Sequence, residues 1–543
     1  MSMIGDGTNN ETPEWTWRDR ERAARSRGVV LDPAAQPAGG PAVYSTVYQP
    51  DVLLVRVDSQ NAISIFQRLN AAAAEFGWNV TDETAEKPEG EAESASPAPP
   101  VVRRASVAQT RRARIEVLPD VPTTMPIQRP DAWRLLSAAR KASIPGVSLN
   151  HVLSVDPIGV DPFKGYPFKG YPFKGYPFKG YPANGGIDGC ASPGFGGRQP
   201  VSFAGPALSD GAAGAGLRRP VVAVLDTGLG EHPWLPADCV VRVDDTTGDD
   251  APYAGVVGIV DAASDPERNP SLGDPLDGVL DPAAGHGTFI AGIVRQVCPQ
   301  ARILPMRVSD GQGVILEDVL IDALGVLLDA MRNGAKVDVL NLSFGYYHES
   351  ADPAAIEGEL YDLLLEIRTL GCVVVCSAGN EATDRPTAPA SLYAWLHNDY
   401  AITTADEAGA APHVAVGALN PSNRSVAMFS NVGPWVSTYA PGVSIVSTLP
   451  ISFRGSMQAD LSLRGYDRWR ETLDIDDFGS GFAVWSGTSF SAPLVAGLIA
   501  GRLAPKLAAK TLAAPSGAFL TETVKKVIAD LKAKDASRSA QRP

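Results

Sequence analysis

The chain has 543 residues, with 47 Lys and Arg against 61 Asp and Glu and a formal net charge of −14 at pH 7. That acidic balance argues against a dedicated nucleic-acid binder, which carries a basic face. With 44% hydrophobic and 20% charged residues, the chain as a whole is not disordered. No apolar run reaches the ~18 residues that span a bilayer, so no membrane partner is expected.

The first residues, MSMIGDGTNNETPEWTWRDRERAARSRG, place charges where a secretory signal has its apolar stretch. A cytoplasmic location is expected, with secretion through a signal upstream of the given start as the alternative. The five cysteines (Cys190, Cys239, Cys298, Cys372 and Cys376) form neither a disulfide framework nor a zinc-site spacing. Cys372 and Cys376 sit in the apolar run GCVVVCSAGN and are expected to be core residues.

In chain order, residues 1–44 are polar and read as a disordered tail. Residues 45–157 carry a strand (VYQPDVLLVRV), a helix (AISIFQRLNAAAAEF), a weak strand near Asn79, an acidic Pro-rich insertion over 82–101, a strand (RRARIEVLP), a helix (DAWRLLSAARKA) and a strand (VSLNHVLSV). The order β-α-β-β-α-β is the ferredoxin-like plan. Residues 158–213 read as an extended linker. PFKGY repeats four times in tandem within it, and Pro and Gly every five residues exclude a helix or a ladder strand. The repeat reads as a spacer, with a strip for an activating partner as the alternative.

From 214 to 512, apolar strands alternate with amphipathic helices, which implies a parallel sheet covered on both faces. Ligand sites in such sheets lie beyond the carboxyl ends of the strands. Residues 513–543 hold one expected helix, FLTETVKKVIADLKAK.

Three segments place reactive side chains at those strand ends. VVAVLDTG ends a strand at Asp226, GHGTFIAG opens a helix at His286, and WSGTSFSAPLVAG opens another at Ser489. Each alone is compatible with a turn or a helix cap. Together they supply what a serine nucleophile needs: an imidazole to take its proton and a carboxylate to orient that imidazole.

With VAVLDTGLGEHPWL, GHGTFIAG, SAGNE, SNVGPWVSTYAPGVSIVST and GTSFSAPLVAG in this order, the segment from about 215 to 510 resembles the subtilisin-like (subtilase) serine peptidases. The resemblance implies an α/β fold with a parallel sheet and helices on both faces, preceded by a small α+β ferredoxin-like domain of the kind that serves as a prodomain. It implies a serine endopeptidase acting on protein or peptide substrates through an acyl-enzyme. Ser489 matches the nucleophile, His286 the general base, Asp226 the orienting carboxylate and Asn380 the oxyanion donor. Ser343, Phe344 and Gly345 match the strand that pairs with substrate, and Ser377, Ala378 and Gly379 the facing wall of the pocket. Part of residues 158–213 is expected to cross the cleft before cleavage.

No cofactor is expected. Asp244, Asp245, Asp249 and Asp250 are a candidate calcium cluster, with a solvated acidic loop as the plainer reading. An insertion at 450–480 precedes the Ser segment and is expected near the cleft rim. Two rival readings remain: an aspartic peptidase, suggested only by the single Asp-Thr-Gly, and a catalytically silent subtilase-fold scaffold.

Overall fold

The computed structural model describes residues 28–33, 43–57, 62–83, 110–119, 128–155, 198–205, 217–273, 276, 278–350, 358–393, 409–456, 458–459, 461–509 and 515–539. The PFKGY repeats, Cys190 and the acidic insertion other than Asp82 and Glu83 lie outside these residues.

Residues 29–155 build the first layer. After β1 (Val29–Val30) come β2 (Val47–Arg56), α1 (Ala62–Ala74), β3 (Trp78–Asp82), β4 (Thr110–Val117), α2 (Ala132–Lys141) and β5 (Val147–Val155). The strands lie in the order β5-β2-β4-β3, each pair antiparallel, which is the ferredoxin-like arrangement. Alternation drives it: Leu53 and Val55 of β2, with Ala113 and Ile115 of β4, bury one face against Ile65 and Leu69 of α1 and Leu135 and Leu136 of α2. Asp131 caps α2, accepting from the Trp133 backbone N–H.

Part of the expected disordered tail is ordered instead. Val29 and Val30 pair with Tyr48 and Val47, and Leu31 is buried. A two-residue strand is too short to show alternation in a sequence.

The second layer begins after β6 (Gln199–Pro200) with β7 (Val221–Asp226), α3 (His286–Val297), β8 (Arg302–Arg307), β9 (Val314–Leu316) and α4 (Glu317–Arg332). It continues through β10 (Val339–Leu342), β11 (Phe344–Gly345), α5 (Glu359–Thr369), β12 (Val373–Ser377), β13 (His413–Leu419), β14 (Thr438–Pro441) and β15 (Ile445–Thr448). Last come β16 (Ser462–Gly465), β17 (Arg468–Glu471), β18 (Phe482–Trp485), α6 (Thr488–Ala508) and α7 (Gly517–Ser539). Six strands form one parallel sheet in the order β14-β13-β12-β10-β7-β8. All six residues of β7 and all five of β12 are buried, as a sheet covered on both faces requires.

One face packs on α4 and α5 through residues such as Leu324, Leu327 and Leu363. The other packs on α3, α6 and α7 through Phe289, Ile293, Val495, Ile499 and Val524. Cys372 and Cys376 are fully buried in this core, as their apolar run predicts. The last helix buries Leu520, Val524 and Val527 against the domain, so the unit extends past residue 512.

The two layers share β5. Its first half pairs with β2, while its last residues pair with β9 on one edge and β11 on the other; Ser154 faces both Val314 and Gly345. Leu54, Leu153 and Val155 join the apolar cluster of the second layer.

Candidate active site

Asp226 sits at the carboxyl end of β7 and is fully buried. His286 is the first residue of α3, after Gly285 at φ 83°. A Cβ on Gly285 would lie 2.4 Å from the Leu449 side chain, so both the backbone angle and the space demand glycine. A Cβ on Gly287 would lie 2.2 Å from the Gly228 carbonyl oxygen. The two glycines flanking His286 thus let the helix start press against the Asp-Thr-Gly turn.

That approach brings His286 Nδ1 to 2.8 Å from Asp226 Oδ1, with both side chains excluded from water. The imidazole rests against Phe490 (ring centroids 5.3 Å apart) and edge-on to Trp485 (5.7 Å). Its Nε2 is buried and has no hydrogen-bond partner. A buried polar atom without a partner costs ~1–3 kcal/mol, so an orphan here marks a position built for an incoming group.

Ser489 is the second residue of α6, at the positive end of the helix dipole. Its hydroxyl donates to the Ser343 carbonyl at 3.3 Å and not to His286. Asn380 follows β12; its Oδ1 accepts from the Thr488 N–H and hydroxyl, each at 2.9 Å, and its Nδ2 is buried without a partner. Thr488 therefore does more than make a turn. By taking the amide oxygen it orients the amide NH₂, leaving a preset donor next to Ser489.

The remaining expected residues form the walls. Phe344 and Gly345 pair with Val155 and Ser154, so the strand expected to hold substrate holds the end of β5. On the opposite edge of the same segment, Val152, Leu153 and Ser154 pair with Leu316, Ile315 and Val314, and the Val155 N–H donates to the Gly313 carbonyl at 2.9 Å. Gly379 (φ 97°) donates its N–H to the Thr488 hydroxyl, and Asn431 accepts and donates around the Ala378–Glu381 turn. Ser377 is buried with an unpartnered hydroxyl.

A family model described as the subtilase family matches residues 218–530, more than half of the chain. The chain belongs to the subtilases. It is similar to a thermophilic serine proteinase of Bacillus sp. (strain AK1), 28% identical over 277 residues, which are 51% of this chain and 50% of that protein. It is similar to an intracellular serine protease of Paenibacillus polymyxa, 26% identical over 302 residues, or 54% of this chain and 68% of that one. Fervidolysin of Fervidobacterium pennivorans is 29% identical over 286 residues, covering 51% of this chain and 33% of its own. The match thus spans half of the first relative and a third of the last.

In the acidic loop of this subtilase, two of the four candidate carboxylates have arginine partners. Asp245 accepts from the Thr247 and Gly248 N–H groups and pairs with Arg242, and Asp250 is clamped by Arg302. Among the described residues, no helix is long and apolar enough to cross a membrane.

Three features went unread in the sequence. Glu267 is a buried carboxyl accepting from the hydroxyls of Thr227 and Thr288. Arg198, inside the expected linker, is half-buried over Trp485 and donates to the Asp281 and Ala284 carbonyls just before His286. Burial pushes its pKa down to about 10, against the pull of Asp281, Glu267 and Asp476. His151 of β5 lies between Glu317 (Nδ1, 2.6 Å) and Glu349 (Nε2, 2.9 Å) and stacks on Tyr346. Burial opposes its charge, but the two carboxylates outweigh that and raise its pKa to about 10.

Proposed function

We propose that this subtilase is a serine endopeptidase that works through an acyl-enzyme and is made with an inhibitory N-terminal domain. The observation that carries the reading is the buried His286–Asp226 pair whose second imidazole nitrogen has no partner among the described residues, together with an Asn380 Nδ2 equally unpartnered. In this reading a substrate strand lies along β11 and supplies a backbone N–H to the Ser343 carbonyl. That displaces the Ser489 hydroxyl, which turns to His286. The imidazole takes the hydroxyl proton as oxygen attacks the peptide carbonyl, and Asp226 holds the resulting imidazolium. Asn380 Nδ2 donates to the oxyanion, and the protonated His286 then delivers its proton to the leaving amine. Water hydrolyses the ester with the same base. No metal or cofactor takes part in these steps.

The inhibitory role is supported by strand addition: Val152–Val155 take the main-chain groups that a substrate would use. The first described residues after the repeats, Arg198–Pro200, are anchored on Trp485, which packs edge-on to His286, and on β18. Serine labelling with a fluorophosphonate tests the reading. Weak labelling of the intact chain, strong labelling once the N-terminal domain is released, and none in Ser489→Ala are expected. Absence of labelling after release would favour the silent scaffold.

A further inference from the structure

Behind the acid–imidazole pair lies a second carboxyl. Glu267 is 1% exposed and belongs to the irregular stretch between β7 and α3. Its Oε2 accepts from the Thr288 hydroxyl at 2.6 Å and its Oε1 from the Thr227 hydroxyl. Thr227 follows Asp226, and Thr288 is two residues after His286. The same hydroxyls also accept backbone hydrogens across the junction: Gly287 N–H donates to Thr227 at 2.8 Å and Gly230 N–H to Thr288 at 2.7 Å.

We propose that Glu267 is a positioning residue, a buried carboxyl that locks the strand end carrying Asp226 to the helix start carrying His286 through Thr227 and Thr288. The inference rests on reading Asp226 and His286 as the orienting acid and the base.

Hydrogen counting gives the lock a second consequence. The Thr227 hydroxyl has one hydrogen and two acceptors within reach, Glu267 Oε1 and, at 3.2 Å, Asp226 Oδ1. Asp226 Oδ1 also accepts from the Thr227 N–H at 2.8 Å and faces His286 Nδ1. While Glu267 is ionised it draws both threonine hydrogens, and Asp226 keeps its charge for the imidazole. When Glu267 is protonated it must donate to one threonine. If that is Thr227, the hydroxyl hydrogen turns to Asp226, which then holds the imidazolium less strongly.

The charged groups facing Glu267 are Asp226 from β7, Asp265 from its own loop and Arg198 from the chain after the linker. Burial raises the Glu267 pKa to about 7; the two threonines work against the rise, and Asp265 and Asp226 add to it. The exchange therefore falls near neutral pH.

The test needs no turnover for its first arm. In full-length Ser489→Ala protein, NMR reads the low-field hydrogen shared by His286 Nδ1 and Asp226. Adding Glu267→Gln, which keeps the shape and removes the charge, is expected to move that resonance; an unmoved resonance overturns the proposal. In the second arm, the released enzyme carrying Glu267→Gln loses about tenfold in kcat at unchanged KM, the rate equivalent of one hydrogen bond. The acid limb of its pH profile becomes shallower, since one titrating carboxyl is gone.

Thr288→Ser retains the hydroxyl and should behave as wild type, whereas Thr288→Val, which removes the hydroxyl that Glu267 holds, should move the resonance and lower kcat as Glu267→Gln does. If Glu267→Gln does not fold, this pair decides, and a Thr288→Val protein matching wild type in resonance and kcat overturns the lock. A wild type without turnover whose resonance still responds to Glu267 removes the peptidase reading and leaves the lock standing.

Discussion

Ser343 and Ser489 grip each other: the Ser489 hydroxyl donates to the Ser343 carbonyl at 3.3 Å, and the Ser343 hydroxyl donates back to the Ser489 carbonyl at 2.9 Å. The Ser489 hydroxyl is thereby held at the junction of β10 and β11, and in the proposed mechanism its use requires that the Ser343 carbonyl be claimed by another donor. In the released enzyme, Ser489→Ala and His286→Ala should each lower kcat by roughly 10⁶, with a double variant scarcely worse, because the two act as a unit. Steady-state hydrolysis of a chromogenic peptide measures it, and near-additive losses would remove the shared mechanism.

Asn380 offers a donor whose orientation depends on Thr488. Asn380→Ala should lower kcat about 10²–10³-fold with little change in KM, the cost of one oxyanion donor in subtilisin. Thr488→Val should reproduce part of that loss, since it frees the amide oxygen that Thr488 now holds. Wild-type turnover in Thr488→Val would show that the amide needs no such restraint.

His151→Gln should weaken docking of the N-terminal domain. Removing the cation leaves Glu317 and Glu349 buried without it, a change that typically costs ~3–5 kcal/mol. Lower thermal stability of the intact chain and stronger probe labelling of Ser489 are the expected readouts; unchanged labelling would locate the lock elsewhere.

The same pair predicts an alkaline weakness. The His151 pKa is raised above its unfolded value, so its contribution is full below about 6.5 and is lost as pH rises through about 10. Glu349 is shifted the opposite way: burial works against its charge, but the His151 hydrogen bond and charge outweigh it, so its contribution persists well into acid. Melting temperature should therefore decline between pH 7 and 10 in wild type and less steeply in His151→Gln.

Gly287→Ala should abolish activity and destabilise the fold. The added Cβ would sit 2.2 Å from the Gly228 carbonyl, which forces α3 away from the Asp226 turn. Circular dichroism melts and probe labelling would report both effects.

The parallel sheet and the positions of Asp226, His286 and Ser489 were legible because each depends on a local pattern: an apolar strand ending in a carboxylate, or a glycine-flanked residue opening a helix. Glu267 left no such trace. It lies in a loop without periodicity, and only the closure of α3 onto β7 makes its contacts. The seat of β5 between β9 and β11 was equally silent, because strand addition uses backbone groups common to every residue. His151 could have been noticed as one of six histidines in the chain, but its partners Glu317 and Glu349 lie 166 and 198 positions away.

Placing β5 between two short strands also has a colloidal consequence. With Val152–Val155 gone, β9 and β11 would stand as unpaired rims of donors and acceptors, the kind of surface that recruits any extended chain nearby. Appetite for unfolded polypeptide and a tendency to self-associate then share one origin, and an occupied rim keeps the newly made molecule from sticking to its neighbours.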